Sequence, residues 1–347
     1  MLADELDFVI GVDTHRDAHA LALLQASTGG VVLERELGAD GPGYACALAL
    51  AKKHAPGGRA WAIEGTGSYG AGIARFLLAR GERVFEVERP RREGRSHAKT
   101  DALDAIRAAR TLLAREKLAG PRAGGRREAL RALMTTREGT LKAKRAALCQ
   151  VRALVVASPE PLRAELRPLT RARLLRRLGA LRPKRRSEGE LRGLFVALRA
   201  LARRALALTA EERELKQEIE ALVCELAPAL LSEPGVGPIS AAQVLISWSH
   251  PGRLRNEAAF ARLGAAAPIP ASSGRTVRHR LDRGGDRRLN RALHTIIVAR
   301  RKRHAPTIAY VERRTAEGKS VRETIRCLKR YLARHLFRLL EGMPLAA

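Results

Sequence analysis

Between Phe8 and Val87 short apolar runs alternate with Ala/Leu-rich stretches, and few folds accept that alternation. Phe8-Val9-Ile10-Gly11-Val12 is a continuous apolar run ending at Asp13, the pattern of a strand buried on both faces. Ala18–Leu24 and Val31–Leu33 flank the turn signal Ser27-Thr28-Gly29-Gly30, so they predict two antiparallel strands. Pro42–His54 reads as a helix stopped at Pro56-Gly57-Gly58. Ala60-Trp61-Ala62-Ile63 is a short strand ending at Glu64, followed by the loop Gly65-Thr66-Gly67-Ser68 and a helix from Gly70 to Arg80. Arg83–Val87 is a further strand, stopped near Pro90. Three strands, helix, strand, helix, strand, helix predict an α/β unit, a mixed sheet with helices on its faces.

From about Thr100 to Val156 the pattern is helical and basic. Pro159, Pro161, Pro168 and Pro183 then break an Arg-rich stretch that includes Arg171, Arg173, Arg176, Arg177, Arg185 and Arg186, predicting short helices and turns. Helix resumes from Glu188 to Leu231. There Leu208, Leu215, Ile219, Leu222 and Leu226 form an a/d seam, either a coiled coil or one helix packing on its own domain. The rest reads as mostly α: helix to Trp248, helix near Asn256–Leu263, a Gly/Pro/Ser/Arg stretch over 264–286, a basic helix Arg287–His304 and an amphipathic helix Val321–Leu340. The expected division is 1–155, 156–231 and 232–347.

Charge narrows the partners. Lys and Arg number 65 against 36 Asp and Glu, a formal charge of +29. A field of that size favours a polyanion, and neutralising phosphates releases condensed counterions without reading any sequence. Aromatics are 3% of the chain, which argues against readers that stack single-stranded bases and leaves Arg-to-phosphate contacts with duplexes or structured RNA. Cys46, Cys149, Cys224 and Cys327 are dispersed, with no C-x-x-C pair, so neither a zinc ribbon nor a disulfide framework is expected. Each lies in an Ala/Leu-rich stretch and reads as a reduced, packed side chain. The acidic N-terminus lacks a signal-peptide layout and no apolar run is long enough for a bilayer, so a cytoplasmic, nucleoid-associated chain is expected.

The acids carry the chemistry. Asp13 and Glu64 each end an apolar strand, and Asp101 and Asp104 share one helical face behind Thr100, a good N-cap. Any one of these is ordinary, since Asp in a first helical turn complements the helix dipole. Together, in so basic a chain, they point to a site for Mg²⁺ or Mn²⁺, hard cations that take carboxylate oxygens. His15 and His19, four apart on a strand and turn, read as structural or as supports to that site.

Three blocks, Ile10-Gly11-Val12-Asp13-Thr14-His15, Ile63-Glu64-Gly65-Thr66-Gly67-Ser68-Tyr69 and Lys99-Thr100-Asp101-Ala102-Leu103-Asp104-Ala105, resemble the signatures of the DEDD transposases of the insertion-sequence one-ten family. The resemblance implies an RNase H-like, RuvC-like N-terminal domain with Asp13, Glu64, Asp101 and Asp104 as its Mg²⁺-dependent catalytic acids.

Near the C-terminus Gly235-Val236-Gly237 before a helix resembles a helix-hairpin-helix turn, in which glycine lets backbone approach phosphate. Gly264-Ala265-Ala266-Ala267-Pro268, Ala271-Ser272-Ser273-Gly274 and Gly284-Gly285-Asp286-Arg287-Arg288-Leu289-Asn290 are accompanied by Arg275, Arg278, Arg280 and Arg283. By composition this is a phosphate-binding turn with serine as a hydrogen-bond donor. These blocks are similar to the family's C-terminal transposase domain, which implies a nucleophilic serine directly before glycine, Ser273, with Ser272 adjacent to it. The resemblance further implies donor and target DNA as substrates, a structured bridge RNA from the element, and a homodimer or homotetramer whose acidic and serine sites combine across protomers. A junction-resolving nuclease using water and metal alone, or a non-catalytic basic nucleic-acid-binding protein, also fits the residues taken without the resemblance.

Overall fold

The computed structural model describes residues 2–87, 100–115, 118–122, 124–182, 189–275, 279–282 and 284–343. The chain divides into two compact units, Met1–Gly124 with Ser249–Leu254, and Gly125–Trp248 with Arg255–Ala347.

The first unit holds β1 (Phe8–Thr14), β2 (Ala18–Gln25), β3 (Val31–Gly38), α1 (Gly41–His54), β4 (Arg59–Glu64), α2 (Ala71–Leu78), β5 (Arg83–Val87) and α3 (Asp101–Leu113). The sheet order is β3-β2-β1-β4-β5. β1 pairs antiparallel with β2 and β2 with β3, while β1–β4 and β4–β5 are parallel. This is the expected mixed sheet, and it is consistent with an RNase H-like unit. Each face is covered because side chains alternate along a strand. Ile10, Val12, Trp61 and Ile63 bury against α1 and α2. Val9, Ala60 and Ala62 face the other way, towards the Ala-rich side of α3. Gly11 lies on that second side. A Cβ there would sit 1.9 Å from the Ala105 carbonyl oxygen, so only glycine lets α3 come this close to β1.

The second unit contains α4 (Arg126–Val156), α5 (Glu160–Leu166), α6 (Arg171–Gly179), α7 (Gly189–Leu226), α8 (Pro228–Ser232), α9 (Pro238–Trp248) and α10 (Glu257–Leu263). It ends with β6 (Ile269–Pro270), β7 (His279–Arg280), α11 (Arg287–Arg303), α12 (Ala305–Ala316) and α13 (Val321–Glu341). α4 and α7 run antiparallel along each other, as the ion pairs Arg126–Glu225 and Arg137–Glu212 at opposite ends and middle of the pair require. The buried line on α7 is Leu198, Ala202, Ala205, Ile219, Val223 and Leu226. Leu208, Leu215 and Leu222, expected in the seam, are only half-buried beside it. The helix packs antiparallel on α4 within its own unit, an arrangement compatible with both the antiparallel coiled coil and the single-domain packing expected.

The helical pattern expected from about Thr100 to Val156 is two helices, with a break between Leu113 and Arg126. Gly120, Pro121, Gly124 and Gly125 lie there, and Gly125 takes φ +62°. The cysteines are unpaired, but Cys46, Cys149 and Cys224 are exposed. Each sits beside the buried stripe of its helix, next to Ala47, near Ala147 and next to Val223. Pro90, Pro183, Arg185 and Arg186 lie outside the described residues. Among the described residues no helix is long and apolar enough to cross a membrane.

Candidate active site

Strand register sets the first two acids side by side. Val12 on β1 pairs with Ile63 on β4, so the next positions, Asp13 and Glu64, are neighbours at the ends of parallel strands. Both alternate onto the face that α3 covers. Thr14 fastens the two strand ends by donating its Oγ1 hydrogen to the Glu64 carbonyl at 3.0 Å. Beyond Glu64 the chain folds straight back. Gly65 takes φ +65° and its carbonyl accepts from the Ser68 and Gly70 amides.

α3 supplies the other two acids. Thr100 is its N-cap and accepts from the Leu103 amide at 3.3 Å, as expected. The close seat of α3 on Gly11 brings its first turn to the end of β1. Asp13, His15 and Asp101 each offer a ligand atom within 4.8 Å of the others. His15 Nε2 lies 3.2 Å from Asp13 Oδ2 and 3.4 Å from Asp101 Oδ2. Asp13 is only 5% exposed. A buried carboxylate needs a cation or donors nearby, and two carboxylates with an imidazole are a donor set that fits a divalent ion. Glu64 and Asp104 stand outside that tight group. Asp104, one turn along α3, pairs with Arg107 at 2.7 Å.

His15, expected to be structural or a support to the acidic site, lies against two of its carboxylates. Its partners are Asp13, two residues back, and Asp101, and not His19. His19 lies on the opposite face, stacked on Tyr44 with centroids 5.8 Å apart. Burial pushes its pKa below 6.5, against the bond between its Nδ1 and the Ala18 carbonyl. Its Nε2 is buried without a hydrogen-bond partner.

In the second unit Ser272, Ser273 and Gly274 are exposed in the segment joining β6 to β7, where Ile269 pairs with Arg280 and Pro270 with His279. Gly274 takes φ +55°, a conformation that suits glycine. The base of this hairpin is tied down by a polar network. Asp286 caps α11 through the Arg288 and Leu289 amides, and its other oxygen accepts from Ser247 at 2.6 Å. Gln243 donates to Ser247 in turn. Asn290 donates to the Gly264 carbonyl at 2.6 Å and accepts from Lys329 at 3.0 Å. Gly285, at φ +81°, sits where a Cβ would be 2.5 Å from the Leu263 carbonyl. Arg275, Arg280 and Arg287 are exposed around the hairpin, while Arg278 and Arg283 lie outside the described residues. The glycine turn before α9 has a packing role: Gly235 takes φ +75° against α11, and Arg300 binds the Pro234 carbonyl and the Glu233 carboxylate.

Two family models match the chain. One, described as "Transposase" and of the DEDD IS110 type, covers residues 10–158. The other, described as "Transposase IS116/IS110/IS902 family", covers residues 227–312. The chain is also 30% identical over 150 residues to the insertion element IS110 uncharacterized 43.6 kDa protein of Streptomyces coelicolor. That alignment covers 42% of this chain and 37% of the relative, so the chain matches well under half of that protein's length.

Proposed function

As the chain belongs to the IS110 family of transposases, we propose that it cuts and rejoins DNA to move an insertion sequence. The observation that carries this reading is the convergence of Asp13 and Asp101, drawn from a strand end and a helix start, with Glu64 on the same face of the sheet. A cluster of carboxylates in a chain of charge +29 suits a site that must hold cations while the surrounding surface holds phosphate.

Asp13, Glu64, Asp101 and Asp104 are the proposed ligands of Mg²⁺ or Mn²⁺. Such ions polarise a phosphodiester and stabilise its leaving oxygen. His15 positions Asp13 and Asp101 by standing between them, and Arg107 sets the direction of Asp104. Ser273 is the proposed nucleophile. Its Oγ bonds to phosphorus as the bond to the sugar oxygen breaks; the departing oxygen takes a proton, and attack by a new sugar hydroxyl reverses the step. Exposure of Ser273 on a hairpin flanked by Arg275, Arg280 and Arg287 supports that role, because arginines both clamp phosphate and ease loss of the hydroxyl proton. Family membership supports two further parts of the proposal: a structured bridge RNA that brings donor and target DNA together, and a dimer or tetramer whose acidic and serine sites combine across protomers.

The test is to incubate the full chain with element-end DNA and Mg²⁺, quench in denaturant, and map any protein–DNA adduct by mass spectrometry. The adduct is expected on Ser273 and absent from Ser273→Ala. Cleavage without an adduct would leave a water-dependent nuclease in place of the serine mechanism.

A further inference from the structure

A groove in the second unit, about 290 Å³ in volume, is lined by six cations and a single carboxylate. One wall is a stripe along α4. Arg131, Lys142 and Arg145 recur at helical spacing on one face, with Glu138 between them. The other wall is the first two turns of α11, which offer Arg288 and Arg291. α9 forms the floor with Ile239, Gln243 and Ile246. Glu138 pairs with Arg288 at 2.6 Å and lies 3.9 Å from Arg291, while Arg131 pairs with Glu128 and Arg137 with Glu212, so Lys142 and Arg145 are the lining cations without an acidic partner among the described residues. Lys142, Arg145, Arg288 and Arg291 are exposed.

We infer that this groove grips the phosphate backbone of duplex DNA. The lining contains no aromatic side chain, so bases have nothing to stack on and a single-strand reader is not supported. A helix rises 1.5 Å per residue, so Arg131 and Arg145 are about 21 Å apart along α4. That spans about six base-pair steps of 3.4 Å, enough for several phosphates on one strand. The floor connects to the hairpin: Gln243 binds Ser247, Ser247 binds Asp286, and Asp286 caps the turn that carries Arg288. Resting on the reading of Ser273 as nucleophile, the strand held here is the DNA being cut, since one hydrogen-bonded network fixes both the groove wall and the base of the serine hairpin.

The experiment measures binding of the full chain to a 5′-labelled blunt DNA duplex across a salt series, by fluorescence anisotropy. A triple variant, Lys142→Ala with Arg145→Ala and Arg291→Ala, is compared with a charge-matched control, Arg173→Ala with Arg192→Ala and Arg204→Ala, whose sites are exposed and outside the groove. The groove variant is expected to lose at least about 10-fold in affinity at 0.1 M salt and to flatten the log–log salt slope by about 2–3, near 0.9 per phosphate. The control is expected to lose far less, with both variants melting at the wild-type temperature. Equal losses in the two variants would overturn the assignment, because net charge alone would then explain binding. A loss confined to an RNA duplex of the same length would overturn it as well. Binding is read without strand cleavage: if the groove variant loses DNA while no Ser273 adduct forms, the groove stands and the serine reading falls.

Discussion

At the scale of single residues the candidate site depends on a side chain that is absent. Gly11 lets α3 rest on β1, and that contact carries Asp101 to Asp13. Gly11→Ala should push α3 away, destabilise the fold by about 1–3 kcal/mol and weaken Mn²⁺ binding, read by denaturant unfolding and by electron paramagnetic resonance of bound Mn²⁺. Wild-type binding and stability in that variant would contradict the role given to the glycine. His19 gives a pH prediction. Its folded pKa lies below 6.5, so the unfolded chain takes up the proton more readily. The stabilising effect of the neutral, buried ring is complete above pH 6.5 and is lost as pH falls from 6.5 towards the folded value. His19→Leu should therefore flatten the fall in melting temperature between pH 7.5 and 5.5, compared with the wild type. The positions of the four acids were legible in the sequence, because each stands where an apolar run stops or in the first turn of a helix. His15 was legible only as structural or as a support to that site, because its second partner, Asp101, is distant along the chain and only the packing of α3 brings it near.

At the scale of elements, continuous apolar runs reported β1 and β4 well, since a strand buried on both faces has no polar positions to blur it. α12 went unread. It buries only Thr307 among its twelve residues, so no apolar stripe announces it, and its signal is Pro306 in the first turn. The seam on α7 was legible in part: Ile219 and Leu226 are buried, while Leu208, Leu215 and Leu222 are half-buried. The rest of the buried line is Leu198, Ala202, Ala205 and Val223, which no run of leucines every seventh residue marks. The hairpin was visible as a Gly/Ser/Arg stretch, but its anchoring network joins residues from α9, α11 and α13 that no local pattern links. Asp286 is the centre of that network. Asp286→Ala should cost about 0.5–2 kcal/mol as a lost N-cap and speed hydrogen exchange in the 269–280 hairpin while leaving β1–β5 protection unchanged. Unchanged exchange in the hairpin would separate the cap from the serine segment.

At the scale of the whole molecule, the charge of +29 sets the conditions under which the protein is stable. Like charges repel over about 10 Å at 0.1 M salt and much farther in dilute buffer. The melting temperature should rise between 20 mM and 300 mM NaCl, and rise again when duplex DNA is added, as seen by scanning calorimetry. A fall with salt would mean that attractive ion pairs such as Arg59–Glu82 and Arg137–Glu212 outweigh the net repulsion. Bulk charge made a nucleic-acid partner readable from composition. Which surface meets the polymer was not readable, because α4, α9 and α11 come together only in the fold. The buried Asp13 and its neighbours are proposed to form a metal-dependent strand-cleaving centre. The most direct test is the single-turnover rate of element-end cleavage against Mg²⁺ concentration, for the wild type and Asp13→Asn. Mg²⁺-dependent cleavage is expected in the wild type and a loss of at least about 10²–10³-fold in the variant, with DNA binding retained; cleavage by Asp13→Asn at the wild-type rate would rule out Asp13 as part of the cleaving centre.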